Sequence, residues 1–271
     1  SAGNHALAIA YAARKLGRAF RICLPATASA LKREKLTNFG AQLEFHGDSL
    51  DQAITHAKSL AESYGWDFIH PFDDPRVVAG ASTTLIEAIS QAPEIQTVIV
   101  PTGGGGLLSG CAIAEDHLQR KFELVAVEPE SHATFGGGVA IATAPTLADG
   151  LAVLPRLDAL TTGIVQRRKP RFEKIGEDEL AAGTLAFLHQ ESWLVEPSGA
   201  VGVSILLRMA RAGKISGPVL LLLTGGNVGK STLAKLFTIE IRDRELSEIA
   251  GSRPQKPANV RPQASLDYRE R

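Results

Sequence analysis

The sequence predicts an α/β protein with open parallel sheets and flanking helices. Short apolar runs alternate along the chain with longer stretches in which apolar residues recur at helical spacing. Two glycine-rich stretches, 103–106 and 224–227, each follow such an apolar run. Because ligands of open parallel sheets bind beyond the carboxyl ends of the strands, both stretches are expected to line one shared pocket.

The predicted strands are short and apolar, and the predicted helices lie between them. Strands are expected at 20–24, 41–45, 68–69, 97–100, 124–127, 193–195 and 219–223. Helices are expected at 4–16, 28–39, 50–64, 77–90, 107–118, 177–190, 200–212 and from 228 to about 242. Residues 129–170 contain several prolines and glycines and are predicted to be irregular.

Two of these helices have a distinctive pattern. Helix 4–16 is rich in alanine and apolar on nearly every side, so it is predicted to be buried. Before helix 50–64, Ser49 and Gln52 have the spacing of a capping box, in which each side chain accepts a hydrogen bond from the other residue's backbone N–H.

The composition excludes several classes of protein. With 271 residues and 44% hydrophobic content, the chain can bury a large core. Lys plus Arg and Asp plus Glu each number 29, so neither a nucleic acid nor an anionic membrane is expected as a partner. Because no membrane span and no secretory signal are recognisable, a cytoplasmic protein is expected. Cys23 and Cys111 lie in apolar surroundings and are expected to be buried free thiols.

A run of four glycines separates the β-branched strand 97–100 from a helical pattern that starts at Leu107. The glycines are Gly103, Gly104, Gly105 and Gly106. Without Cβ atoms their backbone N–H groups can approach a ligand closely, and the helix start adds unpaired N–H groups. The junction therefore predicts a phosphate site. The alternative is a mobile linker, which fits poorly between a buried strand and a helix.

Further motifs occur in a fixed order along the chain. They are Ser1-Ala2-Gly3-Asn4-His5, His70-Pro71-Phe72-Asp73-Asp74-Pro75, the tetraglycine with Leu107, Ala148-Asp149-Gly150, Glu196-Pro197-Ser198-Gly199-Ala200 and Thr224-Gly225-Gly226-Asn227. With this set, up to about residue 230, the chain resembles the threonine/serine dehydratase group of fold type II pyridoxal-phosphate (PLP) enzymes.

The resemblance implies a two-domain fold. Residues 1–73 would form a small α/β domain, and 74–245 a large PLP-binding domain that is incomplete on its N-terminal side. Because the chain opens on Ser1 without a Met, an N-terminal segment is expected to be missing. Residues 246–271 are polar, with prolines and arginines, and are predicted to be a disordered tail. A homo-oligomer is also implied.

The resemblance also implies roles for individual residues. The backbone N–H groups of 103–107 would hold the 5′-phosphate of PLP, and Asn4 would bond the ring O3′. Thr224 would place a hydroxyl against the pyridine nitrogen, which leaves that nitrogen unprotonated and suits β-elimination. Ser1, Asn4 and His5 would receive the carboxylate of a small amino-acid substrate. The implied reaction converts L-threonine or L-serine to a 2-oxo acid and ammonia.

Three departures from the family pattern matter. No stretch matches the family's Schiff-base lysine motif, since Lys121 and Lys174 lack its surroundings, so the chain as given is predicted not to turn over substrate. Ala2 stands where related serine racemases carry a Ser, which favours a dehydratase. Thr134 stands where the family would place an acidic metal ligand, so no metal is expected.

Alternative interpretations remain open at this point. Residues 224–232 resemble a nucleotide-binding P-loop, although the pattern requires Gly where Thr224 stands. The chain could also be a non-catalytic fragment or pseudoenzyme. Asn4 could be a helix N-cap and Glu196 an ordinary strand end. The basic residues Arg167, Arg168, Lys169 and Arg171 are interpreted as a solvated loop.

Overall fold

The computed structural model describes residues 1, 3–28, 30–137 and 144–249; for 30–32 and 241–249 it describes the backbone alone. The strands are β1 (Arg21–Leu24), β2 (Gln42–Phe45), β3 (Thr97–Pro101), β4 (Glu123–Pro129), β5 (Arg171–Ile175) and β6 (Val219–Leu221). The α-helices are α1 (Asn4–Lys15), α2 (Ala30–Asn38), α3 (Leu50–Tyr64), α4 (Pro75–Gln91), α5 (Gly106–His117), α6 (Leu160–Arg168), α7 (Glu177–Glu191), α8 (Pro197–Arg211) and α9 (Lys230–Ile249). Short 3₁₀ helices lie at Glu130–His132 and Asp149–Leu151.

The strands form two parallel sheets, which confirms the predicted fold class. The smaller sheet pairs β1 with β2, in a register that joins Arg21 to Gln42 and Leu24 to Phe45. The larger sheet has the order β5-β4-β3-β6. Its central strands β3 and β4 pair in a register that joins Thr97 to Glu123 and Pro101 to Val127.

Helices cover both faces of the larger sheet, which is why its central strands β3 and β4 are buried almost throughout without alternation. One face of β3 and β4 packs against α4, α5 and α6 through residues such as Val98, Leu108 and Ile164. The other face packs against α7 and α8 through residues such as Ile99 and Val201. The smaller sheet has a separate cluster, composed of Ala6, Ala10, Ile22, Leu24, Ala28 and Leu36.

Helix α1 buries one face only, so the prediction that it is buried because it is apolar all round was wrong. Ala6, Ala10 and Ala13 are buried, whereas Tyr11 is 58% exposed and Leu16 is 73% exposed. Small apolar residues on every side make a helix compatible with burial, but the elements packed against it decide which side is covered.

Other local predictions were confirmed. Ser49 and Gln52 form the capping box of α3, with Ser49 Oγ accepting from Gln52 N at 3.3 Å. Cys23 and Cys111 are buried free cysteines, and burial raises the pKa of Cys111 to about 12. Within the described ranges, no helix is long and apolar enough to cross a membrane.

Several predicted boundaries were wrong. Residues 68–69 and 193–195 belong to no strand, and 129–170, predicted to be irregular, contains all of α6. Helix α9 runs to Ile249, beyond the predicted end near 242, so residues 246–249 are helical and not part of a disordered tail. The rest of the predicted tail, 250–271, lies outside the described residues.

The basic run 167–171 is only partly solvated, since Arg167 and Lys169 are exposed but Arg168 and Arg171 form ion pairs. Arg168 lies at the end of α6 and pairs with Glu115, which is fully buried in α5. Arg168 Nη2 donates to Glu115 Oε1 at 2.7 Å and to the Phe122 carbonyl at 2.8 Å. Arg171 begins the edge strand β5 and pairs with Glu173 beside it. Because a buried carboxylate is costly without partners, the Glu115 pair fixes α6 against α5.

Gly110 in α5 allows close contact with α4, and replacing it should destabilise the fold. A Cβ atom there would lie 2.7 Å from backbone atoms of Ala81 and Ser82. We expect Gly110→Ala to lower the free energy of unfolding by about 1–3 kcal/mol in urea titrations, because the two helices must separate. Gly80→Ala in α4 is the matched control, since a Cβ there meets nothing within 4 Å. The control should stabilise the chain by about 0.5–1 kcal/mol; equal effects would contradict this account of the contact.

Candidate active site

The four glycines form the predicted junction between a buried strand and a helix. They link the end of β3 to the start of α5, and Gly105 is the N-cap of α5 with a φ of +80°. Gly104 and Gly105 are buried, and Gly103 and Gly106 are half-buried. In the described part of the chain, no backbone N–H from 103 to 107 donates a hydrogen bond to a protein acceptor. Unpaired N–H groups at a helix start favour an anion, so this loop can hold a phosphate.

Protein packing also requires glycine at these positions. A Cβ on Gly104 would lie 2.4 Å from the Phe72 ring, and one on Gly103 would lie 2.9 Å from Leu151 Cα. A Cβ on Gly105 would lie 3.0 Å from the Phe135 ring. The sequence argument explained the glycines by ligand approach alone, whereas the structure adds that neighbouring side chains determine the shape of the loop.

A second part of the site is built around the buried carboxylate of Glu196. Asn4 Nδ2 donates to Glu196 Oε1 at 2.5 Å, and the backbone N–H of Asn227 donates to Glu196 Oε2 at 3.0 Å. The backbone N–H of Glu196 donates to the Gly225 carbonyl at 3.2 Å. These bonds bring the first motif of the chain against the stretch 224–227.

Two interpretations of single residues are corrected here. Gly3, not Asn4, is the N-cap of α1, so the Asn4 side chain is not used as a cap. Glu196 does not end a strand; it is the N-cap residue of α8 and is 7% exposed. Sequence reasoning left Glu196 out of the site because its partner Asn4 lies far away in the chain. One signal in the sequence could have identified it: Glu196 comes directly before Pro197, a residue that favours the first position of a helix.

Thr224 lies three residues after the last residue of β6, and it packs against the first turn of α8. It is half-buried, and a Cβ on Gly199 would lie 1.5 Å from the Thr224 carbonyl oxygen. The neighbouring Ser198 Oγ accepts from Gly150 N at 2.9 Å. Leu151, the next residue, contacts Gly103. A continuous set of contacts therefore joins the motif regions around 103, 150, 196 and 224 to Asn4 in one cluster at the carboxyl ends of β3 and β6.

Ser1 and His5 lie on either side of Asn4 in the sequence, but their hydrogen bonds go to other parts of the chain. The Ser1 ammonium donates to the Cys23 carbonyl at 2.9 Å, and Ser1 Oγ accepts from Gly3 N at 3.4 Å. His5 Nε2 lies 3.1 Å from the Ile69 carbonyl, and burial lowers the pKa of His5. A neutral His5 with its proton on Nε2 satisfies that carbonyl. Ala2, whose identity favoured a dehydratase, lies outside the described residues.

The lysines considered from the sequence lie elsewhere. Lys121 pairs with Asp116 at 2.7 Å, and Lys174 is part of β5. A different lysine, Lys35 of α2, reaches the site and donates to Asn227 Oδ1. Nothing in the local sequence around Lys35 indicated this contact, which depends on how α2 packs.

The P-loop alternative for 224–232 is disfavoured by its surroundings. The Asn227 N–H is already bonded to the carboxylate of Glu196, and the Asn227 side chain is bonded to Lys35. A buried carboxylate next to the loop would repel a nucleotide phosphate. The unpaired N–H groups at 103–107 have no carboxylate bonded to them, so they are the better phosphate site.

Glu128, near the end of β4, holds the backbone of the turn that follows the strand. The Glu128 carboxylate accepts from the backbone N–H groups of Thr134, Phe135 and Gly136 at 2.8–3.0 Å. Burial raises the pKa of Glu128, and these three bonds oppose that shift. Among the residues with described side chains, no group of three or more His, Cys, Asp or Glu is placed to hold a metal ion.

The available groups fit PLP. Unpaired N–H groups suit its phosphate, the second amide hydrogen of Asn4 suits a ring oxygen, and the Thr224 hydroxyl suits the ring nitrogen. Asn4 is an exposed residue, and its amide nitrogen has a second hydrogen besides the one donated to Glu196.

Comparisons with known proteins agree with this fit. An L-threonine ammonia-lyase from Thermotoga maritima is 34% identical over 244 residues, which cover 88% of this chain and 60% of the relative. A beta-hydroxyaspartate dehydratase from Paracoccus denitrificans is 34% identical over 237 residues, covering 84% of this chain and 73% of the relative. The chain thus spans about three fifths of the length of the Thermotoga relative.

Solved structures share the fold. The processed form of threonine deaminase isoform 2 from Solanum lycopersicum has a TM-score of 0.79 at 29% identity, covering 88% of this chain and 71% of that one. Maize serine racemase has a TM-score of 0.78 at 27% identity, covering 90% of this chain and 77% of that one. The sequence model of the family described as pyridoxal-phosphate dependent enzyme matches residues 1–225. Because this match includes the glycine loop, Asn4 and Thr224, the chain belongs to the family of pyridoxal-phosphate dependent enzymes.

Proposed function

We propose that the complete protein catalyses β-elimination from a small hydroxy amino acid such as L-threonine or L-serine, releasing a 2-oxo acid and ammonia. The observation that carries this proposal is the row of unpaired N–H groups at 103–107, clustered with Asn4 and Thr224. The names of the relatives, L-threonine ammonia-lyase and beta-hydroxyaspartate dehydratase, support the reaction class.

Each part of the site would have a distinct task. PLP, when bound, supplies an electron sink for the bonds at the substrate's Cα. The N–H groups of the glycine loop hold its phosphate, and Glu196 orients the Asn4 amide so that a hydrogen remains for O3′. The Thr224 hydroxyl bonds the pyridine nitrogen without protonating it. Ser1, Asn4 and His5 receive the substrate carboxylate near the start of α1, where the helix dipole favours negative charge.

We further propose that residues 1–73 and 74–245 form two domains, with the site between them. Their separate sheets and separate hydrophobic clusters support this division. A homo-oligomer is also proposed, and exposed apolar side chains such as Leu157 and Trp193 provide surface for one.

Cofactor binding can be tested at Gly105. Gly105→Ala should weaken PLP binding by about tenfold or more, because a side chain at a φ of +80° shifts N–H groups whose bonds to a charged phosphate are each worth about 1.5–3 kcal/mol. Equilibrium dialysis measures the affinity. Gly137→Ala is the matched control, since Gly137 also has a positive φ, of +73°, but lies outside the loop. Equal affinities in the two variants would contradict the phosphate assignment.

The 271-residue chain should bind PLP but release no 2-oxo acid from L-threonine or L-serine, because its sequence contains no Schiff-base lysine motif of the family type. A coupled assay for 2-oxo acid, run with PLP in excess, measures the rate. Steady release above that of a Gly105→Ala control would contradict the prediction and would show that another amine of this chain serves the reaction.

A further inference from the structure

The segment between α3 and α4 ends in a turn, residues 70–74, in which one ring nitrogen of His70 accepts two backbone hydrogen bonds. His70 Nδ1 accepts from the backbone N–H of Phe72 at 3.2 Å and from that of Asp73 at 2.8 Å. An atom that accepts two hydrogen bonds cannot carry a proton, so the ring is neutral with its proton on Nε2. The Phe72 ring meets the imidazole edge to face, with centroids 4.6 Å apart.

This turn lies against the glycine loop. The Phe72 ring covers Gly104, where a Cβ would lie 2.4 Å away, and Phe72 Cβ would lie 3.0 Å from a Cβ on Gly106. The packing on this face of the loop therefore depends on where the turn places Phe72.

A second contact leads from the same turn to the loop. Asp73 Oδ1 accepts from Leu160 N at 2.7 Å, which fixes the start of α6. The next residue, Thr161, is fully buried and lies 3.3 Å from the Cβ position of Gly105. His70 thus holds Phe72, which contacts the loop directly, and Asp73, which reaches it through the start of α6.

We propose that His70 is a positioning residue for the cofactor: by accepting the Phe72 and Asp73 N–H groups, it keeps the glycine loop in the shape that binds the PLP phosphate. This inference rests on the proposed function. It assigns His70 no contact with cofactor or substrate, and no step of the reaction.

Protonation of His70 would break this arrangement, because a proton on Nδ1 would face two N–H donors. The charged and titratable groups around the ring are Asp73 and Asp74 of the turn, Lys58 of α3 and His5 of α1. Burial lowers the pKa of His70 from its ordinary 6.5, with Lys58 and His5 acting in the same direction and the two aspartates opposing. The native state therefore binds fewer protons than the unfolded chain, so the His70 contribution to stability is complete above about pH 6.5 and is lost as the pH falls through the lowered pKa.

The test compares two substitutions of His70. In His70→Asn, Oδ1 occupies the place of Nδ1 and accepts hydrogen bonds but does not titrate, whereas His70→Ala removes the acceptor. PLP affinity is measured by equilibrium dialysis at about pH 8 and at a lower pH at which an NMR titration shows the His70 ring to be protonated in the wild type. At the higher pH we expect affinity to fall about five- to tenfold in His70→Ala and to stay within about twofold of the wild type in His70→Asn.

The pH profile separates positioning from mere stability. The ratio of wild-type to His70→Asn affinity should decrease from the higher to the lower pH, since titration of the cofactor itself is common to both proteins. Amide hydrogen exchange gives a readout that needs no cofactor. In His70→Ala, exchange should be faster at the hydrogen-bonded amides of Phe72, Asp73, Leu160 and Ser109, the last of which donates to the Gly105 carbonyl, while exchange in the smaller sheet should be unchanged.

The outcomes distinguish this inference from the proposed function. If Gly105→Ala loses PLP while His70→Ala binds it like the wild type, the role of His70 is overturned and the proposed function stands. If the wild type binds no PLP, the proposed function fails. Unchanged exchange at Leu160 and Ser109 in His70→Ala would overturn the positioning role. Should His70→Ala not fold, a pH-independent ratio of wild-type to His70→Asn affinity would overturn it.

Discussion

The site depends on a row of backbone N–H groups, from residue 103 to residue 107, that the described part of the protein leaves without acceptors. A buried, unpaired N–H is costly, so such a row persists only where the surroundings impose it or a ligand completes it. Here the surroundings impose it. Phe72, Leu151 and Phe135 close around the glycines on the protein side.

The other motifs are connected to this loop by polar contacts between segments that are far apart in sequence. The carboxylate of Glu196 is the clearest example, because it joins Asn4 of the first helix to Asn227 after the last strand. A buried carboxylate that accepts from several N–H donors fixes the positions of these donors. If one donor moved, the carboxylate would lose a hydrogen bond that it needs in a buried place. The same logic, with a ring nitrogen as acceptor, applies at His70.

How much of this could be predicted from the sequence depends on the range of the interactions. The capping box at Ser49 and the strand, glycine and helix order around 103–107 are local, and both were predicted correctly. The involvement of Glu196 and Lys35 depends on partners in other segments, so neither was predicted. Strand β5 was missed because its charged residues hide a strand pattern, whereas the structure pairs Glu173 with Arg171 and Arg208 at the sheet edge. Short apolar runs such as 68–69 lack neighbouring strands among the described residues and do not form one.

The central claim is that the amides of the glycine loop bind the phosphate of PLP, and the most direct measurement is a ¹H–¹⁵N NMR titration of the chain with PLP. The account predicts that the largest shift changes fall on the backbone amides of 103–107, together with the side-chain NH₂ of Asn4. Unchanged amides at 103–107, or changes confined to the stretch 228–232, would contradict it.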